Sequence, residues 1–135
     1  MSSAARIEIF DCSPENSVKT IPVMELLFPT NIITVADLIR QRVAVEVDRF
    51  LDTMKTQQHA LVALTEEEML LNQKSENNAR EGLKERQCAK ALQAFQSNQF
   101  FVIVDDQQLT ELQEPIMVTD SIQVEFFRLR PLVGG

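Results

Sequence analysis

Hydrophobic and polar residues alternate near the start of the chain, over residues 5–10. Ile7 and Ile9 fall on one face of this segment, which is typical of a half-buried strand. A turn rich in small polar residues separates it from a second predicted strand over about residues 18–27. Because Pro22 cannot donate a hydrogen bond to a ladder, this second strand is expected at the edge of a sheet. The two strands are predicted to form a hairpin.

The pattern then changes to a helical period. Thr34 is expected to cap a helix, with Asp37 three residues later completing an approximate capping box. Apolar residues follow at helical spacing and predict one buried stripe: Val35, Leu38, Ile39, Val43, Val47, Phe50, Leu51 and Met54.

Two further helical segments are predicted downstream. Thr65 and Glu68 form a second capping signature ahead of a short apolar run. Residues 72–78 are uniformly polar and are expected to form a loop. Another helix is predicted over about residues 79–96.

Three short strands are predicted in the last third of the chain. The continuous apolar run Phe100–Val104 is typical of a strand inside a sheet, and Asp105-Asp106 is expected to end it in a turn. Residues 107–109 are predicted to form a stub strand. The last strand is predicted over residues 121–127, where alternation distinguishes inward from outward side chains: Ile122, Val124 and Phe126 against Gln123 and Glu125. A hairpin, a helix and a late strand that returns beside the first predict an α+β fold.

Composition and charge restrict the classes of function. A net charge of -7 over 135 residues argues against nucleic-acid binding and favours partners with basic surfaces. No run approaches the roughly 20 apolar residues of a membrane span, and the N-terminus lacks the apolar core of a signal peptide. Cys12 and Cys88 are interpreted as reduced thiols, so the chain is expected to be cytoplasmic.

No catalytic or metal-binding constellation is recognisable. His59 is the single histidine, and no spacing supplies it with the partners of a triad or a metal site. The acidic residues at 66–68 and 105–106 are interpreted as a helix start and a turn. The chain is therefore predicted to be non-enzymatic, with no metal and no cofactor of its own.

The order of the predicted elements resembles the β-grasp fold of ubiquitin and its relatives. Thr30 to Ile39 is similar to the passage that leads into the helix of ubiquitin, Gln107 to Leu112 to its short fourth-strand region, and Ser121 to Arg130 to its last strand and basic tail. The resemblance covers residues 5–55 and 99–135. It implies a sheet wrapped on a crossing helix.

The same resemblance implies a division of the chain. Residues 1–127 would form the ubiquitin-like domain and residues 128–135 a flexible conjugation tail. Residues from about 56 to 98 have no counterpart in ubiquitin and would form a helical insertion between the crossing helix and the third strand of the sheet.

The tail carries the expected chemistry. Gly134 and Gly135 lack a Cβ, so their backbone can pass a narrow enzyme channel. The resemblance implies that Gly135 supplies a carboxylate that an adenylating enzyme activates with ATP, and that thioester intermediates carry it to a target amine. The residues expected to be recognised by enzymes lie just upstream: Arg128, Arg130, Pro131, Leu132 and Val133.

The partners follow from the same resemblance. When the tails are aligned from the end, Pro131 and Val133 stand where ubiquitin has arginines, so a eukaryotic ubiquitin-activating enzyme is expected to recognise this tail poorly. The chain looks closer to bacterial ubiquitin-like modifiers, which implies dedicated activating and conjugating enzymes, a deconjugating protease and a covalently attached target protein. Two alternatives stay open: a sulfur carrier that forms a thiocarboxylate at Gly135, and a non-covalent interaction domain.

Overall fold

The described residues form nine helices and strands. The computed structural model describes residues 5–12, 22–59, 66–120 and 122–128, with side chains over 5–12, 22–53, 78–120 and 122–127. In chain order the elements are β1 (Ala5–Cys12), β2 (Met24–Phe28), β3 (Ile32–Thr34), α1 (Val35–His59), α2 (Glu66–Gln96), β4 (Phe100–Val104), β5 (Gln107–Leu109), β6 (Pro115–Met117) and β7 (Gln123–Arg128). The predicted α+β class is confirmed.

Five strands form one mixed sheet in the order β2-β1-β7-β4-β5. β1 and β7 run parallel at its centre, with Glu8 beside Gln123 and Cys12 beside Phe127. β2 pairs antiparallel with β1, and β4 pairs antiparallel with both β7 and β5. The last strand therefore returns beside the first, as predicted, and the second strand lies at an edge.

Among the described residues, the second strand begins later than predicted. It begins at Met24, so Pro22 precedes it, and residues 13–21 lie outside the described residues. The backbone N–H of Val23 donates to the carbonyl of Ile9 at 2.8 Å. Within the described residues, the ladder with β1 begins at Met24, which lies beside Ile9.

A two-residue turn joins β4 to β5. Asp105 and Asp106 both have positive φ, 48° and 68°, which is the conformation of a type I′ hairpin turn and one that aspartate tolerates. The backbone N–H of Asp105 donates to the carbonyl of Gln123 at 3.1 Å, and its carboxylate accepts from the N–H of Gln123 at 3.1 Å. The predicted turn is confirmed, and these two bonds attach it to β7.

The capping box at the start of α1 is also confirmed. Thr34 Oγ1 accepts a hydrogen bond from the N–H of Asp37 at 3.1 Å, and the carboxylate of Asp37 accepts one from the N–H of Thr34 at 3.1 Å. Each side chain satisfies a backbone donor that the first helical turn leaves without an intrahelical partner. This fixes where the helix begins.

Thr34→Ala is expected to lower the free energy of unfolding by about 1 kcal/mol, because the N–H of Asp37 loses its acceptor. Urea unfolding followed by circular dichroism measures this change. Thr53→Ala is the matched control: Thr53 Oγ1 donates to the carbonyl of Arg49 at 2.9 Å within the same helix, and alanine favours the helix interior. Equal losses from the two variants would contradict a capping role for Thr34.

The core lies between α1 and one face of the sheet. Val35, Leu38 and Ile39 are at most 1% exposed, and Ile7, Val102 and Val124 meet them from the strands with no exposed surface. Towards the end of the predicted stripe the burial decreases: Leu51 is partly buried, Phe50 is 59% exposed, and the side chain of Met54 lies outside the described residues. The prediction that Phe50 faces the core is wrong, because α1 continues beyond the part that the sheet covers.

The second helix is a single element, so the predicted loop over residues 72–78 is wrong. This stretch holds neither glycine nor proline, and a polar composition alone does not break a helix. The last turns of α2 bury Ala94 and Phe95 in the core. In the part of the chain that the structure describes, neither helix has an apolar stretch sufficient to cross a membrane.

A two-stranded ribbon, β3 with β6, was not predicted. Ile32 lies beside Met117, and Ile33 lies beside Ile116. Each strand has only three residues, too few for alternation to be recognised in a sequence. The ribbon precedes α1 directly.

Candidate functional site

The last described residue, Arg128, ends the central strand of the sheet. Its backbone pairs with Phe100 at the start of β4, while Phe127 lies beside Cys12 at the end of β1. The predicted tail therefore starts at a fixed position between two neighbouring strands. The side chain of Arg128 lies outside the described residues, as do all the other predicted site residues: Arg130, Pro131, Leu132, Val133, Gly134 and Gly135.

Three phenylalanines pack beneath this end of the sheet. The ring centroids of Phe95 and Phe100 are 5.8 Å apart, and those of Phe100 and Phe126 are 5.9 Å apart. Such separations are typical of favourable aromatic pairs. All three rings are at most 5% exposed, so the strand that leads into the tail is held by a packed aromatic cluster.

A buried arginine on α1 completes this end of the sheet. Arg42 is only 5% exposed and forms a two-pronged ion pair with Asp11 at the end of β1, with Nη2 to Oδ2 at 2.7 Å. Its Nε donates to Glu46 at 2.6 Å, and its guanidinium lies 4.5 Å from the ring centroid of Phe126. One side chain thus joins α1, β1 and β7.

The electrostatics of Arg42 favour its charged form. Burial alone lowers the pKa of a guanidinium, but hydrogen bonds and charge from Asp11 and Glu46 outweigh it, so the pKa of Arg42 is raised. A cation with two carboxylate partners and an aromatic face has its desolvation largely compensated. Arg42 is therefore a permanent charge that fixes geometry and does not exchange protons at neutral pH.

The position of Arg42 in the sequence indicates a buried charge, although the sequence analysis did not identify it. Arg42 follows Leu38 and Ile39 at helical spacing, so it belongs to the apolar stripe of α1 although it is charged. A charged residue on a buried stripe requires a partner. Asp11 lies 31 positions earlier in the chain, and only the folded arrangement brings the two together.

A small cavity of about 40 Å³ opens beside Arg42. Its walls are apolar apart from two charged side chains: Ile39, Arg42, Val43, Glu46, Ala91, Phe100 and Phe126. This volume is far below the roughly 300 Å³ of ordinary small-molecule pockets. The described residues also contain no group of three or more His, Cys, Asp or Glu side chains arranged to bind a metal.

The two cysteines have the properties of structural thiols. Cys12 is 5% exposed, and its Sγ lies 3.3 Å from Glu125 Oε2. Glu125, expected to point outward into solvent, is only 9% exposed, because it lies on β7 beside Phe10 of β1 and contacts this thiol. Burial raises the pKa of Cys88 despite the charges of Arg40 and Lys84, so its thiolate is disfavoured.

Charged side chains join the two helices. Asp48 Oδ1 lies 2.9 Å from Arg80 Nη1 and 3.1 Å from Lys84 Nζ. Cys88 Sγ lies 3.8 Å from the carbonyl of Arg40, so α2 runs antiparallel to α1. Partial burial raises the pKa of Asp48, but the hydrogen bonds from Lys84 and Arg80 exceed that effect, and the pKa lies below its ordinary value of 3.8.

Asp48→Asn is expected to destabilise the protein at neutral pH and to have less effect as the pH falls. A carboxylate whose pKa is lowered by folding stabilises the folded state above the ordinary pKa, and this contribution is lost as the pH falls through the folded value. Because the Asp48 side chain is 40% exposed, solvent screening limits the loss at pH 7 to at most about 1 kcal/mol.

Urea unfolding of the unchanged protein and of Asp48→Asn between pH 7 and pH 3 measures the difference in their free energies of unfolding. In an Arg80→Gln/Lys84→Gln background, the pH-dependent part of the Asp48→Asn effect is expected to disappear, because the two cations that lower the pKa are gone. A difference that stays constant across the pH range would refute the role of this cluster.

The face of the sheet opposite the helices carries its own apolar side chains. Alternation along the strands puts Phe101, Ile103 and Phe127 on this face, each partly exposed. Leu27 on the edge strand β2 is 59% exposed. The sequence alone did not distinguish these outward residues from the core, because both faces of β4 are apolar.

Comparison with known proteins finds no matching family model, no matching curated protein and no matching solved structure.

Proposed function

We propose that this chain is a ubiquitin-like modifier with a β-grasp fold, attached to target amines through the carboxylate of Gly135. The strand order β2-β1-β7-β4-β5, with parallel central strands and α1 packed on one face, supports the fold assignment. The hairpin, crossing helix and returning strand are the elements that the resemblance to ubiquitin implies. The helix α2 is then an addition to that plan between α1 and β4.

One observation carries the functional proposal: a Gly-Gly pair follows the central strand after a short spacer. β7 ends at Arg128, and the five residues Leu129 to Val133 separate it from Gly134. Seven residues beyond Arg128 extend to at most about 25 Å. An end at Gly135, whether encoded or produced by a protease that cuts behind it, is thus able to enter an enzyme site while the domain stays outside.

The proposed chemistry is one adenylation followed by three acyl transfers. The Gly135 carboxylate attacks the α-phosphorus of ATP, and pyrophosphate leaves as an acyl-adenylate forms on the activating enzyme. A cysteine thiolate of that enzyme then attacks the carbonyl carbon and displaces AMP, and the thioester passes to the thiol of a conjugating enzyme. A target amine attacks the thioester, the thiol leaves, and the amine loses a proton as the amide forms.

The roles in the tail follow from size and charge. Gly134 allows close passage because it has no Cβ, and Pro131 biases Arg130 towards an extended backbone. Leu132 and Val133 are proposed to fill apolar pockets on the enzymes. Arg128 and Arg130 would pair with carboxylates lining an enzyme groove.

The structure around the end of β7, where the tail begins, supports a rigid domain that carries a separate reactive tail. Arg42, Asp11 and the phenylalanine cluster hold the end of β7 against α1. A tail that starts from a rigid strand loses less conformational freedom on binding an enzyme. We infer that the folded domain holds the start of the tail in a fixed position while enzymes act on its end. Dedicated activating, conjugating and deconjugating enzymes, acting in the cytoplasm where ATP is supplied, complete the proposal.

The test uses the purified chain with ATP and its adenylating enzyme. A covalent complex on a non-reducing gel that disappears with excess thiol is expected, and it should be absent when Gly135 is deleted. A sulfur-for-oxygen mass change in the chain would indicate the sulfur carrier instead. If deletion of Gly135 changes neither the complex nor any cellular phenotype of the chain, the non-covalent interaction domain is preferred and the proposal is wrong.

A further inference from the structure

The outward face of the β3–β6 ribbon presents two large apolar side chains to solvent. Ile32 is 57% exposed and Met117 is 67% exposed, and the two are direct cross-strand neighbours. The next pair, Ile33 and Ile116, points the other way and is at most 4% exposed. The ribbon therefore buries one apolar pair in the core and exposes a second.

The backbone that carries the exposed pair is well fixed. Val118 N–H donates to the carbonyl of Asn31 at 2.7 Å, and Val35 N–H donates to that of Glu114 at 3.1 Å. Thr30 Oγ1 donates to the carbonyl of Ile32 at 2.9 Å. Hydrogen bonds thus flank both strands of the ribbon, and a backbone held in this way loses little conformational freedom when a partner covers it.

Acidic residues border the ribbon along the chain. Glu114 directly precedes β6 and Asp120 follows it, while the carboxylate of Asp37 accepts from the N–H of Thr34 in β3. The N–H of Glu114 donates to the carbonyl of Glu111 at 3.2 Å, so these two acidic residues lie close together. Neither residues 29–39 nor residues 105–122 contain a lysine or arginine. A surface with an apolar centre and an acidic border is complementary to an apolar pocket bordered by cations.

The ribbon lies at the other end of the sheet from the tail. β3 follows β2, whose last residue Phe28 pairs with Ala5 at the start of β1. The tail begins where Phe127 lies beside Cys12 at the end of β1. The length of β1 separates the two ends by roughly 23 Å. A partner bound to the ribbon therefore leaves the start of the tail, at Arg128, accessible.

We propose that the outward face of the ribbon docks a protein whose apolar pocket, bordered by lysine or arginine, receives Ile32 and Met117. A second copy of this chain does not fit, because two acidic borders would face each other and each chain carries a net charge of -7. The proposal is independent of Gly135, since docking here needs no free carboxylate.

The partner is first captured with a benzophenone-bearing phenylalanine in place of Met117, photoactivated in the source cells. The same group in place of Phe50, an apolar residue on α1 that is 59% exposed, is the matched control. The protein captured at position 117 and not at position 50 is then purified, and its Kd for the full-length chain is measured by calorimetry at low and high salt.

Ile32→Ser/Met117→Ser is expected to raise that Kd at least about tenfold, since central apolar contacts dominate binding. Glu114→Lys/Asp120→Lys is expected to raise it similarly at low salt and to reduce its salt dependence, because the acidic border is reversed. Phe50→Ser should leave it within about twofold. Circular dichroism and thermal unfolding check that each variant is folded.

Three results would overturn the proposal: no adduct at position 117 beyond that at position 50, an adduct with a second copy of the chain, or a Kd that neither ribbon variant changes. Thioester formation with the adenylating enzyme is measured in parallel on the Gly135 deletion. A deletion that loses the thioester but keeps the docking Kd distinguishes failure of the tail from failure of the ribbon.

Discussion

Gly134→Val is expected to lower the rate of ATP-dependent thioester formation about 100-fold, because a misplacement of about 1 Å in a reacting group costs that much. A β-branched side chain at position 134 restricts the backbone dihedrals and widens a segment that we propose passes through a narrow enzyme channel. The rate is measured in single-turnover assays with the purified adenylating enzyme. The variant changes no described contact of the domain, so its free energy of unfolding should be unchanged.

Gly82→Ala is the matched control for this experiment. Gly82 lies inside α2, and among the described residues a Cβ there would meet only the terminal Nη1 of Arg86, at 3.4 Å. Alanine removes the helix penalty of glycine, so a gain in stability of about 0.5 to 1 kcal/mol is expected, with no change in thioester formation. If both glycine variants left the rate unchanged, position 134 would have no special role in the tail.

Arg42→Met is expected to lower the free energy of unfolding by about 3 kcal/mol, because it removes the buried cation that pairs with the Asp11 carboxylate. Methionine retains most of the apolar stem, so the change reports mainly on the charge. Urea unfolding at pH 7 measures the loss. Adding Asp11→Asn to Arg42→Met is expected to recover part of it, because the side chain at position 11 is then neutral and no longer needs the cation.

Arg49→Met is the control for Arg42. Arg49 lies two turns later on α1, is exposed, and donates one hydrogen bond to the carbonyl of Val23 at 3.0 Å. Its removal should cost no more than about 1 kcal/mol. Equal losses at positions 42 and 49 would mean that the Asp11–Arg42–Phe126 arrangement contributes nothing beyond an ordinary surface arginine.

Local signals in the sequence predicted several elements correctly. The capping box at Thr34 and Asp37 depends only on residues three positions apart, and the structure confirms both hydrogen bonds. The turn at Asp105-Asp106 follows from the tolerance of aspartate for positive φ. The apolar run at Phe100–Val104 correctly indicated an interior strand, because it is flanked by β7 and β5.

Predictions failed where distant parts of the chain decide the outcome. Phe50 continues a helical stripe by spacing, but whether it is buried depends on how far the sheet extends beneath α1. Glu125 alternates as an outward residue, yet contact with Cys12, more than a hundred positions earlier, buries it. The pairing of β3 with β6 joins segments over eighty residues apart, and three-residue strands carry no period of their own.

The candidate site divides in the same way. The Gly-Gly pair and its basic, apolar spacer are local features, visible in the sequence alone. The contacts that hold the end of β7, where the tail begins, are not visible in the sequence. Arg42 comes from α1, Asp11 from β1 and Phe126 from β7. The parallel pairing of the first and last strands places Asp11 beside Phe126, and the packing of α1 on the sheet brings Arg42 to them.

The most direct test of a transferred Gly135 carboxylate is the remnant that trypsin leaves on a target lysine. Trypsin cleaves after Arg128 but not after Arg130, because Pro131 follows it, so a conjugated lysine should retain Leu129-Arg130-Pro131-Leu132-Val133-Gly134-Gly135 on its ε-amine. Mass spectrometry of proteins from the source cells is expected to find this seven-residue remnant, and to lose it when the adenylating enzyme is inactivated. Peptides in which the tail always ends in a free carboxylate, or always continues past Gly135, would contradict the account.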